Sequence, residues 1–456
     1  MYGTRLCKKI VFAAATLAVL MPVLAVADDD ATDKTLASDT RFFVPQPDTG
    51  AVQQVENLFK TGEFKDAFLI VKMELEPQAV WLTGGTPEQV AAKAVGTIRQ
   101  ARRQEAVPVF VLYNIPGRDC GSYSAGGAQT TAAYEAWIDA IADAIGDHKV
   151  VVLVEPDALA NLPSDCGYDP TVVDIPQATA DRYTQINYAV TKLETGRRTM
   201  VYLDAGNSDW HAVGDMALRL VTAGLMNAQG FFTNVSNYRL NNYEAKFDTW
   251  ISECIAFASN PADGGWRLGH YTWCASQYFS PNGPVDPNDI STWVYSDEWY
   301  AGAMGTAVPT THFVVDTSRN GQGPFNIQGP FNAPSYANPP YDQPASTIAV
   351  LNSGSWCNPP ARGLGVRATV NTGVPLLDAY LWVKIPGESD GECDAAGGVR
   401  AWDYSLYTQP GWPITAADQA AFDPLWGLVD PAAGAWFPQQ ALDLARRASP
   451  ALHDDF

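Results

Sequence analysis

Seven short apolar runs rich in Val, Ile, Leu, Phe and Tyr recur along the chain: Gln78–Leu82, Val107–Tyr113, Val150–Glu155, Thr199–Asp204, Gly230–Asn234, His312–Asp316 and Leu377–Lys384. None alternates polar with apolar, and near-continuous apolarity marks a strand buried on both faces. Stretches with helical spacing lie between several of them, at Pro87–Arg103, Thr131–Gly146 and Thr179–Glu194. Strand and helix in alternation predict βαβ units and a parallel sheet. Seven such strands within about 310 residues favour a (β/α) barrel, an α/β fold of the TIM-barrel type, over an open sheet.

Nearly every predicted strand runs into a polar, often acidic segment: Arg118-Asp119-Cys120, Glu155-Pro156-Asp157, Asp204-Ala205-Gly206, Asn234, Asp316, and Lys384 with Glu388 and Asp390. In a parallel barrel the carboxyl ends of all strands share one face, where chemistry is built. One strand-end Asp reads as a helix cap; six strand ends together point to a site. Four carboxylates stand out: Asp119, Asp157, Asp204 and Asp390. Glycosidic hydrolysis needs a protonated acid for the leaving oxygen and, for inversion, a base acting on water from the opposite face. Clustered buried carboxylates meet that need, since like charges keep a proton on one of them. The competing reading is a set of salt bridges with Arg118, Arg319 and Lys384. Trp81, Tyr113, Trp210, Trp356 and Trp382 lie in or beside the same strand ends and tip the balance towards a sugar site, although Trp382, inside an apolar run, also reads as core.

Apolar residues make up 46% of the 456 and charged ones 17%, with 14 Trp, which excludes a disordered chain. The net charge of −21 disfavours nucleic acid and anionic membrane surfaces as partners. Residues 1–27 read as a signal peptide: Arg5, Lys8 and Lys9, an apolar run from Ile10 to Ala25, then Ala25-Val26-Ala27 as the cleavage pattern. A secreted protein follows, extracellular or in transit through a periplasm. Six cysteines remain after cleavage (Cys120, Cys166, Cys254, Cys274, Cys357 and Cys393), which reads as three disulfides with about 15 possible connectivities. There is no CxxC, and none of the five His falls in an HExxH pattern, so neither a metal nor another cofactor is expected. Residues 28–47 read as a flexible segment, and 48–456 as a single catalytic barrel, monomeric and without a carbohydrate-binding module. The long loop-like stretches Gly321–Thr347 and Gly391–Gly434, the latter with Trp402, Trp412 and Trp426, read as lids or binding loops.

The residues also match a family pattern. Tyr113-Asn-Ile-Pro-Gly-Arg-Asp119-Cys120, Val154-Glu-Pro-Asp157-Ala-Leu-Ala-Asn161, Tyr202-Leu-Asp204-Ala-Gly206, Thr233-Asn-Val-Ser-Asn-Tyr238, Asp316-Thr-Ser-Arg-Asn-Gly321, Trp356-Cys-Asn358 and Leu381-Trp-Val-Lys384-Ile-Pro-Gly-Glu388-Ser-Asp390-Gly391 resemble, in family order, glycoside hydrolase family 6, the inverting cellulases. The resemblance implies a distorted barrel of seven parallel strands. It puts Asp157 on the general acid, Asp119 on the aspartate that raises the acid's pKa and guides the catalytic water, and Asp390 on the proposed base. Asp204, Lys384 and Glu388 fall on positions that support the site or hold sugar hydroxyls, and Tyr113 on the tyrosine beside the distorted sugar. Trp356 and Trp210 fall on stacking platforms on the non-reducing and reducing sides, with His211 near the latter. It further implies bridges Cys120–Cys166 and Cys357–Cys393, each tying down a loop that carries an aspartate, and leaves Cys254–Cys274 as an addition. One departure concerns the catalytic water: where the family often has a serine, this chain has Ala125, with Ser122 and Ser124 close by.

The implied activity is hydrolysis of β-1,4-glucosidic bonds in cellulose or soluble β-glucan. The short Cys120–Ala128 segment resembles open-cleft endoglucanases and the long 391–434 segment resembles cellobiohydrolases; we favour the endoglucanase. A non-catalytic carbohydrate-binding barrel is the alternative from another class, and retention of all four aspartates argues against it.

Overall fold

The computed structural model describes residues 34–281, 283, 286–326, 352–393, 399–400, 422–423 and 425–452. Seven parallel strands form one curled sheet whose spatial order follows the chain: β1 (Val80–Leu82), β2 (Val109–Leu112), β3 (Val150–Val154), β4 (Thr199–Asp204), β5 (Gly230–Thr233), β6 (His312–Asp316) and β7 (Leu377–Leu381). All seven coincide with the apolar runs. Successive residues of a strand point to opposite faces, and both faces are dry. In β3, Val151 and Leu153 face the barrel interior with Val111, Tyr202 and Leu381, while Val150, Val152 and Val154 face the surrounding helices. This two-sided burial removed any polar alternation from the sequence.

Helices α3 (Pro87–Arg103), α4 (Thr131–Ile145), α5 (Ile175–Leu193), α6 (Val213–Thr222), α7 (Asn241–Ser259) and α8 (Val294–Ala303) belong to the outer layer. The start of α3 follows from its sequence. Thr86 and Gln89 form a reciprocal capping box, and Pro87 takes the first turn, where its missing N–H costs nothing.

Strands β1 and β7 do not pair along their length. At this seam Ala79 N–H donates to Trp382 O (2.9 Å), and the Trp81 indole N–H donates to Val383 O (2.8 Å). Three further helices back it: α1 (Thr49–Thr61), α2 (Phe64–Glu74) and, at the other end of the chain, α9 (Pro438–Arg446). Ala51, Ile70, Met73, Ala441 and Leu444 pack there around Trp382, whose indole N–H reaches Val366 O (2.9 Å), so Trp382 is core. Upstream, Phe43 N–H donates to Val107 O (3.0 Å), Val107 N–H donates to Arg41 O (2.8 Å), and Phe42 is buried in the barrel interior. The described part of the 28–47 segment is thus fastened to the barrel rather than loose.

The three disulfides are Cys120–Cys166, Cys254–Cys274 and Cys357–Cys393. Among the described residues no helix is long and apolar enough to cross a membrane. The leader at 1–27 lies outside them, as do most of Gly321–Thr347 and much of Gly391–Gly434, including Trp402 and Trp412.

Candidate active site

The acidic strand ends divide into two groups. Glu155, Asp204 and Asp316 are buried and accept backbone N–H groups from neighbouring segments. Glu155, after β3, takes Asn114 and Ile115 beyond β2 (2.8 and 3.0 Å). Asp204, ending β4, takes Leu159 and Ala160 from the loop after β3 (3.1 and 2.9 Å) and Gly206 (3.1 Å). Asp316, ending β6, takes Val383 and Lys384 beyond β7 (3.1 and 3.0 Å) and Ser318 (2.9 Å). Each carboxylate holds one segment of the rim against the next, and the donors satisfy charges that burial would otherwise penalise.

The second group faces a cleft of about 340 Å³ at the carboxyl ends of the strands, lined by Trp81, Tyr113, Asp119, Asp157, Trp356, Lys384, Glu388 and Asp390 among others. Asp157 sits on a left-handed backbone turn (φ +66°) directly above the Asp204 clamp. Burial, reinforced by the charges of Asp204, Asp119 and Asp390, pushes its carboxyl well above the usual range and so favours the protonated form. Asp119 (φ +57°) accepts the Ser124 N–H at 2.7 Å, and burial raises its pKa despite that donor. Arg118 spans the same loop, donating to Ser124 O (2.6 Å) and Tyr113 O (2.5 Å) with its guanidinium 4.6 Å from the Tyr113 ring centre. Cys120, Glu155, Asn234, Ser236 and Asn358 are also left-handed non-glycine residues. Such conformations cost roughly 1–3 kcal/mol each and concentrate where surrounding contacts over-determine a site.

Across the cleft Asp390 is held from several sides. Its Oδ2 accepts from Arg319 (2.9 Å) and from the Asn358 N–H (3.0 Å), its Oδ1 lies 3.7 Å from Lys384 Nζ, and its own N–H donates to Asn358 Oδ1 (2.8 Å). Arg319 is fully buried. Burial lowers the Lys384 pKa, opposed chiefly by Asp390, and raises that of Glu388. Tyr123 links the two loops that bear Asp119 and Asp390: its hydroxyl donates to Cys393 O (3.2 Å) and accepts the Val399 N–H (2.7 Å), and its ring centre lies 6.4 Å from that of Trp356. A side chain at Gly391 (φ +144°) would meet that ring at 2.6 Å, which requires glycine there. An adjoining cavity of about 370 Å³ shares Trp81, Thr83, Glu388 and Gly434 with the cleft and adds Glu74, Gln78 and Lys93.

Seven of the ten residues expected to act in catalysis or substrate binding thus meet in one cleft, Asp119, Asp157, Asp390, Tyr113, Trp356, Lys384 and Glu388, together with Trp81 and Arg118. Asp204 lies beneath it as a clamp. Trp210 and His211 are not among the residues lining this cleft. They occupy the loop after β4, their rings stacked 5.9 Å apart, with His211 Nε2 2.7 Å from Ala160 O beside the Asp157 loop. The family motifs in the sequence include Arg319 and Asn358 but give neither a role at Asp390, and they do not single out Tyr123. Their roles are not legible locally, because each acts on a residue distant in the chain. Among the described residues no three His, Cys, Asp or Glu side chains are grouped to hold a metal ion.

The chain matches the pattern of the glycosyl hydrolases family 6 over residues 37–448. It is 31% identical to Endoglucanase 1 of Streptomyces sp. (strain KSM-9) over 74% of this chain and 70% of that protein. It is 27% identical to Exoglucanase 2 of Hypocrea jecorina over 82% of this chain and 67% of that one. Its fold resembles the endoglucanase Cel6 from Mycobacterium tuberculosis, solved with a thio-linked cello-oligosaccharide, at a TM-score of 0.58 and 29% identity, covering 90% of this chain and 98% of that one. An aspartate whose carboxyl is raised by like charges in an aromatic-lined cleft is thereby given its context: the chain belongs to glycosyl hydrolase family 6 and is a glycoside hydrolase of the cellulase type.

Proposed function

We propose that this chain is an exported, inverting β-1,4-glucanase that cuts internal bonds of cellulose or soluble β-glucan. The observation that carries the proposal is Asp157, which lines the cleft with Asp119 and Asp390 and whose carboxyl is raised by burial and by their charges and that of Asp204. Asp157 gives that proton to the departing glycosidic oxygen while water adds to the anomeric carbon from the opposite face, and the water's proton leaves towards Asp119 and Asp390. Arg319, Asn358 and Lys384 already engage the Asp390 carboxylate. Relay of the proton through a second water held by Asp119 therefore suits this chain better than direct abstraction by Asp390. With Ala125 in the serine position, Ser124 is the hydroxyl left to orient that water, and its own N–H ties it to Asp119.

The relatives include both endoglucanases and exoglucanases. Internal cutting is favoured by the short Cys120–Ala128 side of the cleft. Two measurements test the reading. Proton NMR of the first product from cellopentaose should show the α-anomer; first accumulation of the β-anomer would overturn inversion. Carboxymethyl cellulose viscosity should fall early relative to reducing-sugar release, whereas cellobiose as nearly the sole early product, with viscosity held, would identify a cellobiohydrolase.

A further inference from the structure

The segment between α7 and α8 carries aromatic side chains that the cleft does not use. Trp266 is 51% exposed and Trp273 48%, whereas Trp137, Trp250, Trp293 and Trp382 are fully buried. The two exposed indoles lie together, ring centres 5.9 Å apart and planes 33° from one another. Each is backed by a planar polar group. His270 stacks on Trp273 at 3.7 Å and 6°, and the Arg267 guanidinium sits 5.0 Å over Trp266. About half of each residue is left to solvent. Tyr278, 45% exposed, follows in the same segment.

This is not a loose loop. Cys254–Cys274 bonds it to α7, Gly269 N–H donates to Ala258 O (2.9 Å), and Arg267 donates to Met304 O (2.8 Å). Tyr271 is buried so closely against α6 that a side chain at Gly214 would meet its carbonyl oxygen at 2.3 Å. The segment is also tied to the loop after β4: Gln277 Nε2 donates to Ser208 O (3.0 Å) and His211 O (2.9 Å) on the loop that carries Trp210. Paired indoles held rigid in water are costly unless something covers them, and pre-organised aromatics lose little entropy on binding.

Charge selects the occupant. From residue 264 to 285 there is no Asp or Glu, in a chain of net charge −21. Only Asp263 and Asp286, at the two ends of the segment, could pair with a polycation, and the molecule as a whole repels a polyanion. An uncharged polymer with flat apolar faces fits, and a pyranose chain presents such faces ring after ring. We infer that Trp266 and Trp273, with Tyr278 beside them, form a surface site that stacks an uncharged β-linked glucan chain outside the cleft. The choice of glucan rests on the glucanase reading above.

The test compares the full chain with W266A/W273A. Adsorption to microcrystalline cellulose should fall by roughly tenfold, in keeping with the loss of two ring contacts, while kcat/KM on cellotetraose stays unchanged. Equal adsorption of the two proteins would overturn the inference. Should the variant lose its fold by circular dichroism, hydroxyl-radical footprinting of the unaltered chain decides. Protection of Trp266 and Trp273 only when cellulose is present supports the site, and no protection overturns it. Protection that grows with protein concentration in the absence of cellulose assigns the face to a second copy of the chain and also overturns it. Failure of the unaltered protein to cleave cellotetraose would sink the glucanase reading instead, leaving adsorption and footprint as separate readings of this face.

Discussion

At the scale of single residues, the chemistry depends on two carboxyls held in opposite electrostatic surroundings. Asp157 is raised by burial first and by three neighbouring aspartates second, whereas Asp390 faces Arg319 and Lys384. Asp157→Asn keeps the shape but cannot donate a proton. Its turnover of unactivated cellulose should fall by ~10²–10⁴-fold or more, with binding of cello-oligosaccharides retained and a leaving group that needs no proton partly spared. Steady-state rates beside calorimetric binding check this. The sign of the pH dependence follows from the same charges. The active form carries the Asp157 proton, so rate is lost as pH rises through that pKa. Asp119→Asn removes a charge that holds the proton on, so besides lowering kcat it should move the alkaline limb of kcat/KM to lower pH. A limb that stays in place would separate Asp119 from the tuning of the acid.

At the scale of elements, buried acids tie neighbouring segments of the barrel rim together. Asp316 ties the β6 end to the chain beyond β7 through Val383 and Lys384. Asp316→Ala leaves those two buried N–H groups unpaired, each costing about 1–3 kcal/mol, so urea unfolding should show a loss of at least ~2 kcal/mol. Helix α2 carries the opposite case. Burial lifts the Glu74 pKa from 4.5 to about 7, and one of its carboxyl oxygens is buried without a partner. A carboxyl raised in the folded state favours folding below its unfolded pKa, and that benefit disappears as pH rises from 4.5 through 7. Glu74→Gln should therefore match the wild type in Tm near pH 4 and exceed it near pH 8, by an amount bounded at ~3 kcal/mol.

At the scale of the whole molecule, three disulfides do different jobs. Cys120–Cys166 and Cys357–Cys393 fasten the segments that bear Asp119 and Asp390, while Cys254–Cys274 fastens the aromatic segment to α7. Each contributes about 2–4 kcal/mol by constraining the unfolded chain. Removing Cys357–Cys393 by paired Cys→Ser substitution should lower Tm and also kcat on soluble glucan. The same change at Cys254–Cys274 should lower Tm alone. Thermal unfolding and initial rates on both variants separate the two roles.

What the chain by itself determines is local or periodic. Seven two-sided apolar runs announce seven buried strands, and α3 is bounded by its own cap. The ordered motifs place Asp119, Asp157, Asp390, Tyr113, Trp356, Lys384 and Glu388 in one site. Composition and strand-end position cannot separate Asp157 from Asp204 or Asp316: all are acids at the end of an apolar run. Only the fold decides which faces the cleft and which accepts a neighbour's N–H groups, because the deciding partners lie far away in sequence. Leu159 comes 45 residues before Asp204, and Lys384 comes 68 after Asp316. The same holds for Arg319 and Asp390, 71 residues apart, and for α1, α2 and α9, which lie outside the strand–helix alternation and meet only where the sheet fails to close. Periodicity reports which face of an element is dry; the identity of the partner across that face is fixed by long-range packing.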